Sequence, residues 1–160
     1  RSFFSIPKTK GPSPQAYTLK KKLNHPQALM YEIVADVSKY NEFVPYCTES
    51  FINEKNARNQ PTEAGLRVGW KQFDERFVCK LTCQENTQVI AESLSHSLFS
   101  KLYTEWNIRD LPNRHNACEA EITLEYEFKN PLYNSVSSLF ASKVADLMVK
   151  AFEQRAVDLK

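Results

Sequence analysis

At 160 residues the chain suits one domain with a sizeable core and is short for two. Its 42% hydrophobic and 25% charged residues are an ordinary globular balance, and 21 basic against 19 acidic side chains leave +2, which is no nucleic-acid signature. Gly11, Gly65 and Gly69 are the 3 glycines present, against roughly 7% of an average chain; so scattered, they exclude a Rossmann fingerprint, a Walker loop and a nucleophile elbow, which need clustered glycines.

Arg1, Lys8, Lys10, Lys20, Lys21 and Lys22 precede the first acid, Glu32, so residues 1–31 carry +6 and the remainder −4. An acid-free basic start containing Ser and Phe resembles the end of a mitochondrial transit peptide. A basic first strand behind a flexible lead-in has the same composition. Pro7, Gly11, Pro12 and Pro14 mark residues 1–15 as that lead-in. Residues 16–160 then form a single domain. No run of apolar residues has the length of a membrane span.

From Tyr17 the apolar period is two, through Leu19 and Leu23, which predicts a half-buried strand. Asn24 offers a helix cap and Pro26 suits an early helical position. Leu29, Ile33 and Val37, with Met30, Val34 and Phe43, give a helical stripe that breaks near Asp36 and ends at Pro45. Strand-like runs follow: Tyr46 to Lys55, Leu66 to Trp70, Arg76 to Cys83, Val89 to Leu94, Leu102 to Ile108 and Glu121 to Phe128. Their clean alternation is the habit of antiparallel meanders with one packed face and one wet face. From Pro131 to about Lys160, Val136, Phe140, Val144, Leu147 and Ala151 step by helical spacing, broadened by Leu132, Leu139, Met148 and Phe152. Strand, helices, a run of strands and one long helix make an α+β chain, in which a curved antiparallel sheet wraps around the terminal helix.

Few residues invite chemistry. His25, His96 and His115 lie at no metal-ligand spacing and read as surface residues. Cys47, Cys79, Cys83 and Cys118 sit among apolar neighbours and read as reduced, buried thiols, with no metal site. Glu119, Glu121, Glu125 and Glu127 share one face of a strand whose other face is apolar, so they point to solvent, opposite lysines on a neighbouring strand. Trp70, Phe77, Trp106, Tyr126 and Phe128 fall on the inward parity of their strands. They either fill a core or line a cavity for an apolar ligand, and periodicity alone favours the filled core. Lys143 and Lys150 flank the long helix's apolar stripe, as at a membrane interface or at any protein surface.

The run Met30 to Cys47, with Asp36-Val37, Tyr40 and Phe43-Val44-Pro45-Tyr46-Cys47, resembles the opening motif of the coenzyme Q-binding START-domain family, within the polyketide cyclase/lipid-transport group. Leu98-Phe99-Ser100-Lys101-Leu102 followed by Trp106 is similar to a second family motif, and Ala151-Phe152-Glu153-Gln154-Arg155-Ala156 to a third. Arg1-Ser2-Phe3-Phe4 resembles the stretch around import processing in mitochondrial members. The resemblance spans Tyr17 to Lys160 in one order. It implies a helix-grip fold and a hydrophobic tunnel for ubiquinone or its polyprenylated precursors. It also implies a lipid chaperone for respiration and ubiquinone biosynthesis, not an enzyme, with ubiquinone as bound ligand and no catalytic cofactor. The implied place is the matrix side of the mitochondrial inner membrane, as a peripheral protein. The implied partners are that membrane surface and ubiquinone-biosynthesis or respiratory complexes, with no nucleic acid.

On this reading the tunnel set is Val68, Trp70, Phe77, Leu81, Leu102 and Trp106 from the sheet and Phe140, Val144 and Met148 from the helix, with Phe43, Val44 and Pro45 as a gate. The other class of function is a module of the same fold docking on a ribosome or enzyme complex. It would use the Glu119–Glu127 row and the Lys20–Lys22 run.

Overall fold

The computed structural model describes residues 15–70, 73–94, 99–130 and 137–159, with side chains described outside 15, 70, 73 and 137–142. The lead-in before Gln15, His96, Leu98 and Pro131 lie outside the described residues. In chain order the elements are β1 (Gln15–Leu23), α1 (Gln27–Ala35), a 3-10 segment (Val37–Glu42), β2 (Cys47–Lys55), β3 (Pro61–Trp70), β4 (Phe73–Gln84), β5 (Gln88–Ser93), β6 (Phe99–Asp110), β7 (Cys118–Phe128) and α2 (Ser137–Asp158). The seven strands form one sheet in the order β1-β7-β6-β5-β4-β3-β2, and every neighbouring pair is antiparallel. This is the α+β helix-grip arrangement expected of the sequence: a curved open sheet holding a long C-terminal helix.

Alternation builds the sheet. Along β7, Cys118, Ala120, Ile122, Leu124, Tyr126 and Phe128 are buried while the residues between them are half-exposed. The glutamates are the wet face. Glu119 and Glu121 meet Arg109 at 3.4 and 3.1 Å, and Glu125 meets Lys101 at 2.9 Å. Lys20 and Lys22 stand opposite Glu121 and Glu119 across the β1–β7 ladder.

A chain so poor in glycine turns its hairpins with asparagine. Asn59, Asn86 and Asn116 take φ of 64°, 65° and 50° in the β2–β3, β4–β5 and β6–β7 connections. Asparagine tolerates this left-handed region because its short polar side chain bonds locally.

The helical hairpin departs from expectation at its start. Pro26, not Asn24, is the residue preceding α1, with φ −63° and ψ 147°, and the Asn24 side chain accepts a hydrogen bond from Arg114 instead. The break near Asp36 is where expected. Asp36 leaves helical geometry at φ −85° and ψ 77°, and Ser38 Oγ donates to its Oδ1 at 2.5 Å.

α2 packs against β1, α1 and β7. Its buried stripe is Ala145, Val149, Phe152 and Ala156, each 4% exposed or less. That corrects the expected stripe: Leu147 is 42% exposed, and Val144 and Ala151 are half-buried.

Candidate functional site

The packing between the concave face of the sheet and α2 has two ends of different character. One is filled. The Phe152 ring is fully buried and packs edge-on to Tyr40 at 5.2 Å and Phe43 at 5.0 Å, and tilted on Trp106 at 4.9 Å. The Tyr40 hydroxyl, buried with it, donates to the Val34 carbonyl. Lys21 shares the inward parity of β1, opposite Ala120, and reaches Glu153 of α2 at 2.7 Å.

The other end is looser. Leu66, Val68, Phe99 and Leu102 on the sheet and Met148 on α2 touch the core yet remain only partly buried. Val144 packs in the same way on Leu124, Tyr126 and Phe128. Interiors close-pack when nothing else occupies them. These apolar side chains lie on the inward face and stay partly accessible. Rings surround this end: Phe77 lies edge-on to Phe99 at 5.8 Å, and Phe99 stacks on Phe128 at 5.1 Å.

The twelve residues selected from sequence therefore divide. Val68, Leu102, Val144 and Met148 border the looser end. Phe77 and Leu81, 9% and 5% exposed, form the sheet wall behind them. Trp106 is 3% exposed and belongs to the filled end, on Phe152. Phe43 is half-buried against Tyr40 and Phe152. Val44 is buried and Pro45 half-buried, and the exposed aromatic of that loop is Tyr46, at 54%. The side chains of Trp70 and Phe140 lie outside the described residues.

β4 begins at Phe73, ahead of the strand run expected from Arg76, and so includes Glu75. Extending the alternation of Phe77, Cys79 and Leu81 back by two residues places Glu75 on the concave face, and that was the available signal.

The titratable groups nearby are quiet. Burial pushes the Cys79 thiol up to about 12 and the Cys118 thiol up to about 11, so neither is a ready nucleophile near neutral pH. All four cysteines are free. Among the described residues no group of three His, Cys, Asp or Glu side chains is placed to hold a metal ion. His115 is exposed, but His25 is 4% exposed. This corrects its expected surface position, because the turn from β1 into α1 folds onto the core beside Leu23 and Met30. A separate open cleft of about 670 Å³ lies between α1 and the β2–β3 and β4–β5 turns. It is lined by Tyr31, Glu32, Lys55, Arg58, Gln60 and Glu85 among others, a largely polar mixture.

Residues 23–153 match the polyketide cyclase / dehydrase and lipid transport family. The chain belongs to this family. Within it, the mitochondrial coenzyme Q-binding protein COQ10 of Saccharomyces cerevisiae is 43% identical over 164 residues, covering 99% of this chain and 79% of the yeast protein. The mitochondrial coenzyme Q-binding protein COQ10 of Eremothecium gossypii is 46% identical over 151 residues, covering 91% of this chain and 74% of that protein. A solved START superfamily protein from Mycobacterium smegmatis shares the family fold with a TM-score of 0.81 at 18% identity, covering 91% of this chain and 99% of that one.

Proposed function

We propose that this protein is a non-catalytic carrier of coenzyme Q or a polyprenylated precursor, held in the apolar space between the sheet and α2. The observation that carries the reading is the set of half-buried apolar side chains facing that space, Leu66, Val68, Phe99, Leu102, Val144 and Met148. A polyprenyl tail gains roughly 25 cal/mol for each Å² removed from water, so its binding asks for such a lining and for no catalytic group. The identity to coenzyme Q-binding proteins supports the choice of ligand.

The relatives' mitochondrial names support the mitochondrion as the place of action. We assign the carrier to the matrix face of the inner membrane as a peripheral protein. No described helix is long and apolar enough to cross a membrane, and the ligand itself is almost confined to bilayers. Delivery to respiratory or biosynthetic complexes is the role that follows. A docking module working through its outer charges has less in its favour. Lys21 is engaged by Glu153, and Lys20 and Lys22 face the glutamates of β7.

Transfer of coenzyme Q between donor and acceptor vesicles tests the proposal. The protein should accelerate transfer, and Leu102→Asp or Met148→Asp should abolish the acceleration in a folded chain. No acceleration by the unaltered protein contradicts the carrier reading.

A further inference from the structure

The concave face of β4 is apolar through Phe77, Cys79 and Leu81, all buried. Glu75 interrupts it. It stands opposite Val68 in the β3–β4 ladder, and Val68 packs against the core. Its neighbours point the other way. On the outer face Asp74 accepts two hydrogen bonds from Arg67, both at 2.8 Å, and the Arg76 guanidinium lies 4.4 Å over the Phe51 ring. The two nearest arginines are thus engaged on the far side of the sheet. Among the described residues no ion pair includes Glu75, although its side chain is half-buried. A half-buried carboxylate with no cation beside it gains from a bound molecule that brings it a hydrogen-bond donor.

Resting on the carrier reading above, we propose that Glu75 is the ring-recognition residue of the site and that it selects a polyprenylated ring bearing a free hydroxyl over the oxidised quinone. An ionised carboxylate only accepts hydrogen bonds. The carbonyl and ether oxygens of a quinone ring also only accept, so Glu75 and an oxidised ring repel. A hydroquinone, or a phenolic precursor, presents an O–H donor to the same carboxylate. The bond that results is charge-assisted, and such bonds are stronger than neutral ones. The hydrogen-bonding difference between the two ring classes is therefore read by one side chain, while the tail takes the apolar space beneath α2.

The test is equilibrium retention of ligand by the purified protein after flotation away from vesicles. Three vesicle preparations carry one tail length with the oxidised quinone, the quinol kept reduced under anaerobic conditions, or a monohydric phenol. The unaltered protein should retain the hydroxylated rings at least roughly tenfold better than the quinone, the worth of a hydrogen bond to a charged group. The ratio between the quinol and phenol arms says which source the site takes. Glu75→Gln, whose amide donates as well as accepts, should bring the arms to within about twofold of one another. Glu75→Leu should lower quinol retention to the quinone level without lowering that of the quinone, which separates loss of the acceptor from loss of the fold. Equal retention of all three ligands by the unaltered protein, or an unchanged ratio in Glu75→Gln, overturns the assignment and leaves the carrier reading standing. Retention of none of them by the unaltered protein overturns both.

Discussion

Arg155 of α2 holds its guanidinium 5.0 Å above the Phe43 ring while its Nη2 donates to Glu42 at 2.7 Å. One cation thus fastens the end of the 3-10 segment to the C-terminal helix, through a charge pair and a ring face together. The residues on both sides belong to the runs that carry the family resemblance in sequence. Their contact ties the end of the 3-10 segment to α2.

Two substitutions probe the clamp. Arg155→Ala should lower unfolding free energy by about 1–2 kcal/mol, since it removes an ion pair and a cation–π contact at once. Phe43→Asp should cost several kcal/mol, because it sets a carboxylate against Phe152 and Tyr40. Urea melts read both. A Phe43→Asp protein that melts with the unaltered one would place Phe43 at a free apolar rim and contradict the packing.

Phe152→Ala removes the ring on which Tyr40, Phe43 and Trp106 converge. The expected loss is about 3–5 kcal/mol, the usual cost of deleting a core aromatic. Thermal unfolding should show it as a large drop in midpoint. A shift of a degree or two would mean that the filled end is not the anchor of α2.

Gly65 has no room for a side chain. A Cβ there would lie 2.4 Å from the Phe51 ring and 2.7 Å from the Phe77 carbonyl oxygen. Gly65→Ala should therefore destabilise by about 1–3 kcal/mol. Adding Phe51→Ala should recover only part of this, because the carbonyl of β4 stays where it is. Full recovery in the double variant would assign the whole cost to the ring.

Buried thiols make the fold sensitive to alkali. Cys79 is pushed up to about 12 and Cys118 up to about 11 by burial, and burial raises Tyr40 in the same direction. An unfolded thiol titrates near 8.5. Above about pH 9 the unfolded chain has released protons that the folded chain keeps, so stability falls as pH rises. The contribution is whole below the unfolded thiol value and is lost as pH passes through the folded values toward 12. Urea midpoints should be steady near about pH 7 and fall steeply by about pH 10, at up to about 1.4 kcal/mol per unit for each thiol. A flat profile over that interval contradicts the burial.

The sheet was legible in the sequence because each strand advertises its faces: Ile122, Leu124, Tyr126 and Phe128 against Glu121, Thr123, Glu125 and Glu127. The break at Asp36 was legible too, since the helical stripe fails there. The division of the site was not. Trp106 and Leu102 share parity on β6, yet one is 3% exposed and the other only half-buried. Strand periodicity names a face without saying how far the facing helix stands from it. Leu147 was misplaced for the same reason. Ala145 and Ala156 are on the buried face of α2, and small residues give a weak signal in a hydrophobic pattern. Lys21 pairs with Glu153, which is distant in sequence, and no local pattern reveals such a partner.

The central claim is that the space under α2 holds a polyprenyl ring lipid. Native mass spectrometry of the protein recovered from mitochondrial membranes in mild detergent tests it most directly. The expected spectrum shows one polyprenyl quinone, quinol or precursor per chain, and Val144→Trp, which fills the looser end, should lose that mass while remaining folded. A spectrum of the empty chain alone, from protein that also takes up no such lipid from vesicles, would contradict the account.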